Sequence, residues 1–347
     1  MDKIGKGVVL ALAVAAVGFA ILSRGDVLRT VAAQGPTDGP PNGVVRFVDI
    51  AEPAGVTAVD VWGGITKKKL ILETKGNGVG FLDYDRDGWI DIYLSNGTRL
   101  EVFPKGQEPT NHLYHNNRDG TFTDVAYPAG FGEVSWLFTT FGAKFLDYDN
   151  DGWKDIFLAN GQVFPQMDKY PTGITYAERH LLFHNLRDGR FEEVALRSGP
   201  DMAVRRVSRG LATADYDNDG DLEIMVSNMN DSPELLRRTR KNPNHSILIK
   251  TLGTKSNRDG IGTVITVVAG GLTQYDEVRS GGSYLSSSDL RVHVGLGTST
   301  RIDRIELRWP SGRKDVVENP PVDCILVVKE AHGIVESKLF RRNKKVP

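Results

Sequence analysis

Asp83, Asp85, Asp87 and Asp91 place four carboxylates within the stretch FLDYDRDGWID that begins at Phe81. The spacing recurs as Asp147, Asp149, Asp151 and Asp155, and again as Asp215, Asp217, Asp219 and Glu223. Carboxylates this crowded raise one another's pKa and push a loop open unless a cation neutralises them. Acids at alternate positions can turn inward together, and Gly88, Gly152 and Gly220 permit the bend. The backbone carbonyl at position 7 of each loop (Trp89, Trp153, Asp221) can add a further oxygen. Such a shell suits Ca²⁺ better than Zn²⁺ or copper, which favour nitrogen and sulfur. The expectation is up to three structural Ca²⁺ ions, one per loop. An EF-hand is excluded, because position 12 is Leu94, Leu158 and Val226 where that motif needs a bidentate Glu. One Asp/Gly-rich turn would be ordinary surface; three, each ending in an acid at position 9, argue for metal.

The elements that carry these loops are strands. Ile90, Ile92 and Leu94 alternate with Asp91 and Tyr93, and Val79 and Phe81 alternate ahead of the acids. A second signature interleaves with the first: HLYHNNRDGTFTDVAYPAG from His112 and LLFHNLRDGRFEEVALRSG from Leu181. Its NRDG or LRDG is a hairpin turn with Gly free to take positive φ. Two strands around the acidic loop and two around this turn make a four-stranded propeller blade. Three such units are recognisable over 44–240, which leaves an incomplete ring or one completed by another chain. RFVDI from Arg46 matches a fourth strand and is expected to complete the third unit, whose own copy is missing.

The whole chain has 347 residues, a net charge of −1 and 40% hydrophobic residues, the profile of a globular protein of about two domains. A near-neutral balance argues against nucleic acid as partner. Lys3 and Lys6 precede an apolar run from Val8 to Leu22, so residues 1–33 read as a signal peptide or an N-terminal anchor, and 34–43 as a linker. Contact with a membrane is expected only through that leader. The lone Cys324, in the apolar run CILVV, reads as a buried strand residue, so no disulfide is available to staple an exported chain.

Residues 244–335 form a second domain. SILIKTL, TVITVVA, LRVHVGL, IDRIELRW and CILVVKE are five strand-like runs that suit a small antiparallel sandwich, with Trp309 in its core. Arg258 and Asp259 read as a pair within a turn, and 336–347 as a basic tail whose RRNKK run is solvated. His112, His115, His180 and His184 read as exposed strand residues, because only His115 and His184 correspond between repeats. No catalytic motif is present, and the acids of each loop are committed as ligands. RGD at Arg24–Asp26 abuts the leader and carries little weight, and the sequons at Asn96, Asn230 and Asn244 matter only in a eukaryotic secretory route.

The loops and the LYHNNRDGTFTDVA signature resemble FG-GAP/VCBS repeats, the blades of integrin-type propellers. NHSILIKTLGTKSNRDGIGTVITV from Asn244, GGSYLSSSDLRVHVGLG from Gly281 and IDRIELRWPSGR from Ile302 resemble the ASPIC/UnbV domain. The arrangement is similar to bacterial relatives of the cartilage acidic protein family, and the likeness covers about 44–335. It implies an exported, all-β protein with a calcium-binding propeller and a binding or adhesion role toward an extracellular protein or glycan. Two alternatives stand beside that expectation: a hydrolase or lyase working in a propeller cleft, and a structural subunit whose arc is completed by oligomerisation.

Overall fold

The computed structural model describes residues 48–58, 78–94, 110–169, 173–239 and 242–341. The leader, the linker, Arg24–Asp26, Lys67–Lys69, Asn96 and the last residues of the tail lie outside them. Among the described residues, no helix is long and apolar enough to cross a membrane. The fold is all-β. Its first sheet joins β1 (Val79–Leu82), β2 (Asp91–Leu94), β3 (His112–Asn116) and β4 (Phe122–Asp124) in sequential antiparallel order. The second repeats it with β5 (Thr140–Leu146), β6 (Asp155–Asn160), β7 (Leu181–Asn185) and β8 (Phe191–Glu193). The third holds β9 (Ser208–Ala214), β10 (Glu223–Asn228) and β11 (Glu234–Leu236) in the order β11-β10-β9. No fourth strand pairs with β11 among the described residues, and residues 48–50, the described part of RFVDI, are not in a strand.

The period of two explains how these sheets stack. Successive strand side chains point to opposite faces. In β6, Ile156 and Leu158 enter a core with Tyr93, Leu113, Phe131 and Phe183, while Phe157 and Ala159 enter another with Leu182, Leu211 and Val226. The second sheet therefore lies between the other two, and all six residues of β6 are buried. Phe131 and Phe183 stack with ring centroids 4.2 Å apart, an arrangement worth about 0.5–1.5 kcal/mol beyond burial.

Two turns, at Ala54 and Ala129, each lock onto the fourth strand of the sheet that follows. Phe122 N–H donates to Ala54 O at 2.7 Å, and Phe191 N–H donates to Ala129 O at 2.8 Å. The glycine that follows must stay a glycine: Gly55 and Gly130 have φ of +79° and +78°, and a Cβ would meet Phe122 O at 2.6 Å and Phe191 O at 2.5 Å. Gly199 ends the corresponding segment after β8 and has nothing within 4 Å of an added Cβ. The third sheet has no fourth strand for it to meet among the described residues.

The C-terminal domain is a sandwich of two four-stranded sheets. One orders β17 (Val292–Gly297), β12 (His245–Leu252), β20 (Cys324–Lys329) and β21 (Gly333–Leu339). The other orders β14 (Leu272–Glu277), β13 (Val264–Ala269), β18 (Ile302–Arg308) and β19 (Lys314–Glu318), and β15 (Gly282–Ser283) pairs with β16 (Ser286–Ser287) as a small hairpin. Ile247, Leu326, Ile265, Ile305, Trp309 and Cys324 share one core drawn from both sheets. The five strands expected from sequence are all present. Three features correct the expectation. β14, β19 and β21 were not legible, because their outer faces are polar or weakly alternating. The sandwich is not wholly antiparallel, since β12 and β20 pair in parallel. A strand enters the stretch read as tail: β21 runs to Leu339 with its side chains exposed, and Phe340 packs where a Gly220 Cβ would come within 2.5 Å.

Candidate metal centres

Each acidic loop bridges the first two strands of its sheet and is shaped by its own side chains. The first carboxylate caps the bend: Asp83 Oδ2 accepts from Gly88 N–H at 3.1 Å, Asp147 Oδ2 from Gly152 N–H at 2.8 Å and Asp215 Oδ2 from Gly220 N–H at 3.0 Å. The ninth ties the loop to the sheet: Asp91, Asp155 and Glu223 accept from the backbone N–H of Tyr84, Tyr148 and Tyr216. Asp91 Oδ1 and Asp155 Oδ1 also accept from Asn116 N–H and Asn185 N–H, each at 2.8 Å. Position 6 has positive φ, as the glycines allow, and so does position 4, where Arg86, Asn150 and Asn218 lie at 62°, 58° and 61°. Asn tolerates this left-handed region; Arg does so less readily.

The geometry gathers possible ligands into compact sets. Single oxygens of Asp83, Asp85 and Asp87 lie within 4.8 Å of one another, as do those of Asp147, Asp149 and Asp151 and those of Asp215, Asp217 and Glu223. Asp83 Oδ1 and Asp217 Oδ1 are enclosed without a hydrogen-bond partner. Such orphaned acceptors fit a cation that would use them. These groups could hold a metal ion. Position 5 is not free, however. Arg118 grips Asp87 Oδ2 through Nε and Nη2 at 3.0 and 2.7 Å, and Arg187 grips Asp151 Oδ2 at 2.9 and 2.6 Å. Both arginines come from the NRDG and LRDG turns. The side chains at position 7 lie outside these sets: Trp89 is half exposed, Trp153 receives the Arg86 guanidinium at 4.4 Å, and Asp221 Oδ1 accepts from Asn150 and Asn242, each at 2.9 Å.

The histidines are where sequence reasoning failed. His115 Nδ1 lies 3.2 Å from Asp85 Oδ2 and 3.6 Å from Asp91 Oδ1; His184 Nδ1 lies 3.3 Å from Asp155 Oδ1 and 3.8 Å from Asp149 Oδ2. Each joins its loop's acids in a second set of potential ligands that shares Asp85 or Asp149 with the first. They are not merely exposed strand residues. The antiparallel pairing of β3 on β2, and of β7 on β6, carries each imidazole to the loop. The one available signal was the shared His-Asn pair ahead of both hairpin turns. His180 is also buried and meets Glu234 Oε2 at 3.1 Å, and His112 meets Asp124 at 2.5 Å.

The electrostatics follow from burial. Desolvation pushes the Asp91 carboxyl up to about 7, Glu223 to about 8, and Asp155 and Asp215 each to about 6, against the pull of backbone N–H donors. Asp147 is pushed well above the carboxylate range by burial and by Asp155 and Asp151 beside it. Burial also raises Asp87, but Arg118 and the Trp89 N–H outweigh it and hold the group low. The loops thus contain carboxylates whose charge the protein alone supports poorly.

The C-terminal domain rests on the second and third loops. Gly297 N–H donates to Asn150 O at 2.8 Å, Asn244 Nδ2 donates to Asp149 O at 2.9 Å, and Lys154 Nζ meets Asp276 Oδ2 at 3.0 Å. Gly220 O accepts from Asn150 Nδ2 at 3.1 Å and from Ser246 Oγ at 2.8 Å, and lies 3.2 Å from His293 Nε2. Arg291 donates to Asp215 O and to Asn218 Oδ1, both at 2.6 Å. Asp147, Asp151 and Asp215 are buried beside this seal, whereas Asp83, Asp85 and Asp87 keep partial access to solvent.

Comparison with known proteins matches both parts. Residues 83–158 match the FG-GAP-like repeat, and residues 253–335 match ASPIC and UnbV. Cartilage acidic protein 1 from Homo sapiens is 27% identical over 139 residues, covering 39% of this chain and 18% of that protein. The Xenopus tropicalis protein of the same name is 25% identical over 191 residues, covering 53% of this chain and 26% of its own length. The matches span at most about a quarter of either relative. Two segments of the chain thus match the FG-GAP-like repeat and ASPIC and UnbV, and the chain is distantly similar to cartilage acidic protein 1.

Proposed function

We propose that the chain is an exported, non-catalytic binding module whose acidic loops hold Ca²⁺ as a structural ion. The observation that carries this reading is the convergence of Asp83, Asp85 and Asp87, and of Asp147, Asp149 and Asp151, with Asp83 Oδ1 orphaned and Asp147 pushed far above its ordinary range. A divalent cation supplies the positive charge that lets these buried acids ionise. Asp83 and Asp85, and their counterparts Asp147 and Asp149, would hold it, while Arg118 and Arg187 keep one oxygen each of Asp87 and Asp151 in place. Loop closure then braces the joint between blades and, through the second loop, the seat of the C-terminal domain. Export and an adhesion-type role are supported by the repeat type and by the likeness to cartilage acidic protein 1.

The partner in this reading is an extracellular protein or glycan. Calcium titration by calorimetry on the purified chain tests the metal, and glycan-array binding with and without EDTA tests the ligand class. Heat release at submillimolar Ca²⁺ supports the reading. No uptake at several millimolar would end it, because extracellular modules bind at roughly 10⁻⁴ to 10⁻³ M. One observation favours a second role: the third sheet stops at β11, whose outer edge has no partner among the described residues. Open strand edges recruit further strands. A second copy completing the arc would appear as a concentration-dependent mass in sedimentation.

A further inference from the structure

The third loop differs from the first two at one residue that the sheet register identifies. Ile92 faces Tyr114 and Ile156 faces Phe183; in the third sheet Ile224 faces Leu236. The next residue along the partner strand is His115 in the first blade, His184 in the second and Arg237 in the third. Arg237 turns its guanidinium into the acids, with Nη1 3.9 Å from Asp217 Oδ2 and Nη2 3.9 Å from Asp219 Oδ2. Nη1 is enclosed and has no hydrogen-bond partner, as is Asp217 Oδ1 opposite it.

We propose that Arg237 is the built-in cation of the third loop, so that this loop takes no divalent ion while the first two do. The inference rests on the reading of the first two loops as cation sites. Three observations support it. A guanidinium is permanently charged, so its neutralising effect does not vary with pH or with free calcium. A divalent ion placed among Asp215, Asp217 and Glu223 would face that charge at short range in a partly buried loop, where like charges repel more strongly than in water. The position-9 acid is also altered, Glu223 replacing the Asp of the other two loops. Arg118 and Arg187 are no precedent for Arg237, since each binds a single Asp from a turn beyond its loop and leaves the imidazole position to histidine.

The location gives the substitution a purpose. The third loop carries much of the seam with the C-terminal domain: Gly220 O accepts from Ser246, Asp215 O accepts from Arg291, and Asn218 O accepts from Arg341 N–H at 2.7 Å. A fixed internal cation keeps the third loop's share of that seam assembled when calcium falls, while the first two blades respond to the ion. The chain would then loosen in an order set by its loops, with β1–β8 opening before β9–β11.

Native mass spectrometry of the full chain in about 1 mM Ca²⁺, paired with hydrogen exchange in EDTA, tests this. Expected are two bound ions in the wild type, three in Arg237→His, and two in Asp217→Asn, with Asp85→Asn losing one. EDTA should raise exchange in β2 and β6 at least tenfold more than in β10. Three ions in the wild type, or an unchanged count in Arg237→His that folds, would overturn the proposal. Should the wild type bind no ion, the reading of the first two loops fails, and Arg237 is still tested in metal-free protein. There Arg237→Gln should raise exchange in β9–β11 and Asp217→Asn in the same chain should restore it; an unaltered Arg237→Gln would refute the role.

Discussion

His184 Nδ1 lies 3.3 Å from Asp155 Oδ1, a carboxylate that is itself fully buried and holds the Asn185 N–H. His115 stands in the same relation to Asp91 at 3.6 Å, so this is a property of the blade rather than of one loop. The position-9 acid thus has two tasks. One oxygen binds the backbone of the neighbouring strand, and the pair presents a nitrogen donor to a loop otherwise made of oxygen donors.

That nitrogen should govern which metals bind. Imidazole favours Zn²⁺, Ni²⁺ and Cu²⁺, whereas Ca²⁺ gains little from it. Replacing His115 and His184 together by Ala is expected to weaken Zn²⁺ or Ni²⁺ about tenfold or more and to change Ca²⁺ affinity less than about threefold. Competitive titration with a chromogenic chelator reads both. A large loss of Ca²⁺ affinity would show that the imidazoles act on the calcium site.

Chelation should destabilise the fold. Filling one site at a hundred times its dissociation constant adds about 2.7 kcal/mol, so EDTA is expected to lower Tm by roughly 5–10 °C for the propeller part. Asp149→Asn should give part of that drop in calcium and a further drop in EDTA, which still empties the first loop. Differential scanning fluorimetry checks this, and identical melting with and without EDTA would contradict it.

The pH response of metal-free protein has a definite sign. Asp91, Glu223 and Asp155 titrate at about 7, 8 and 6 in the fold, well above ordinary carboxylates, and His184 is raised by its hydrogen bond to Asp155. Between their unfolded and folded values the native chain holds more protons than the unfolded one, so stability falls as pH rises. In EDTA, Tm should be higher at pH 5.5 than at pH 8. Calcium in the first two loops needs Asp91 and Asp155 ionised, so its stabilising increment should grow over the same range. A Tm in EDTA that climbs toward pH 8 would disprove the assignment.

Gly295 is the tightest point of the seam. A Cβ there would collide with Asp147 Oδ2 and come within 2.7 Å of the Asn150 backbone, although its φ is not in the left-handed region. Gly295→Ala is expected to cost about 1–3 kcal/mol and to raise hydrogen exchange in both β17 and the second loop. Confinement of the effect to β17 would mean that the seam yields easily.

Local pattern accounts for what the sequence alone determined. The alternation in FLDYDRDGWIDIYL, the glycines at position 6 and the NRDG turn involve neighbours in the chain, so strands, hairpins and acidic loops were legible without a structure, as were the five main strands and buried Trp309 of the second domain. What depends on register or docking was not. Whether His115 faces water or Asp85 is settled by how β3 pairs with β2, and the exchange of histidine for Arg237 is visible only once Leu236 is seen to face Ile224. The parallel pairing of β20 with β12, and the meeting of Gly295 with Asp147, likewise join residues far apart in sequence. Backbone periodicity is a short-range property; the surroundings of a side chain belong to whichever distant strand packs against it, and only the folded chain decides that.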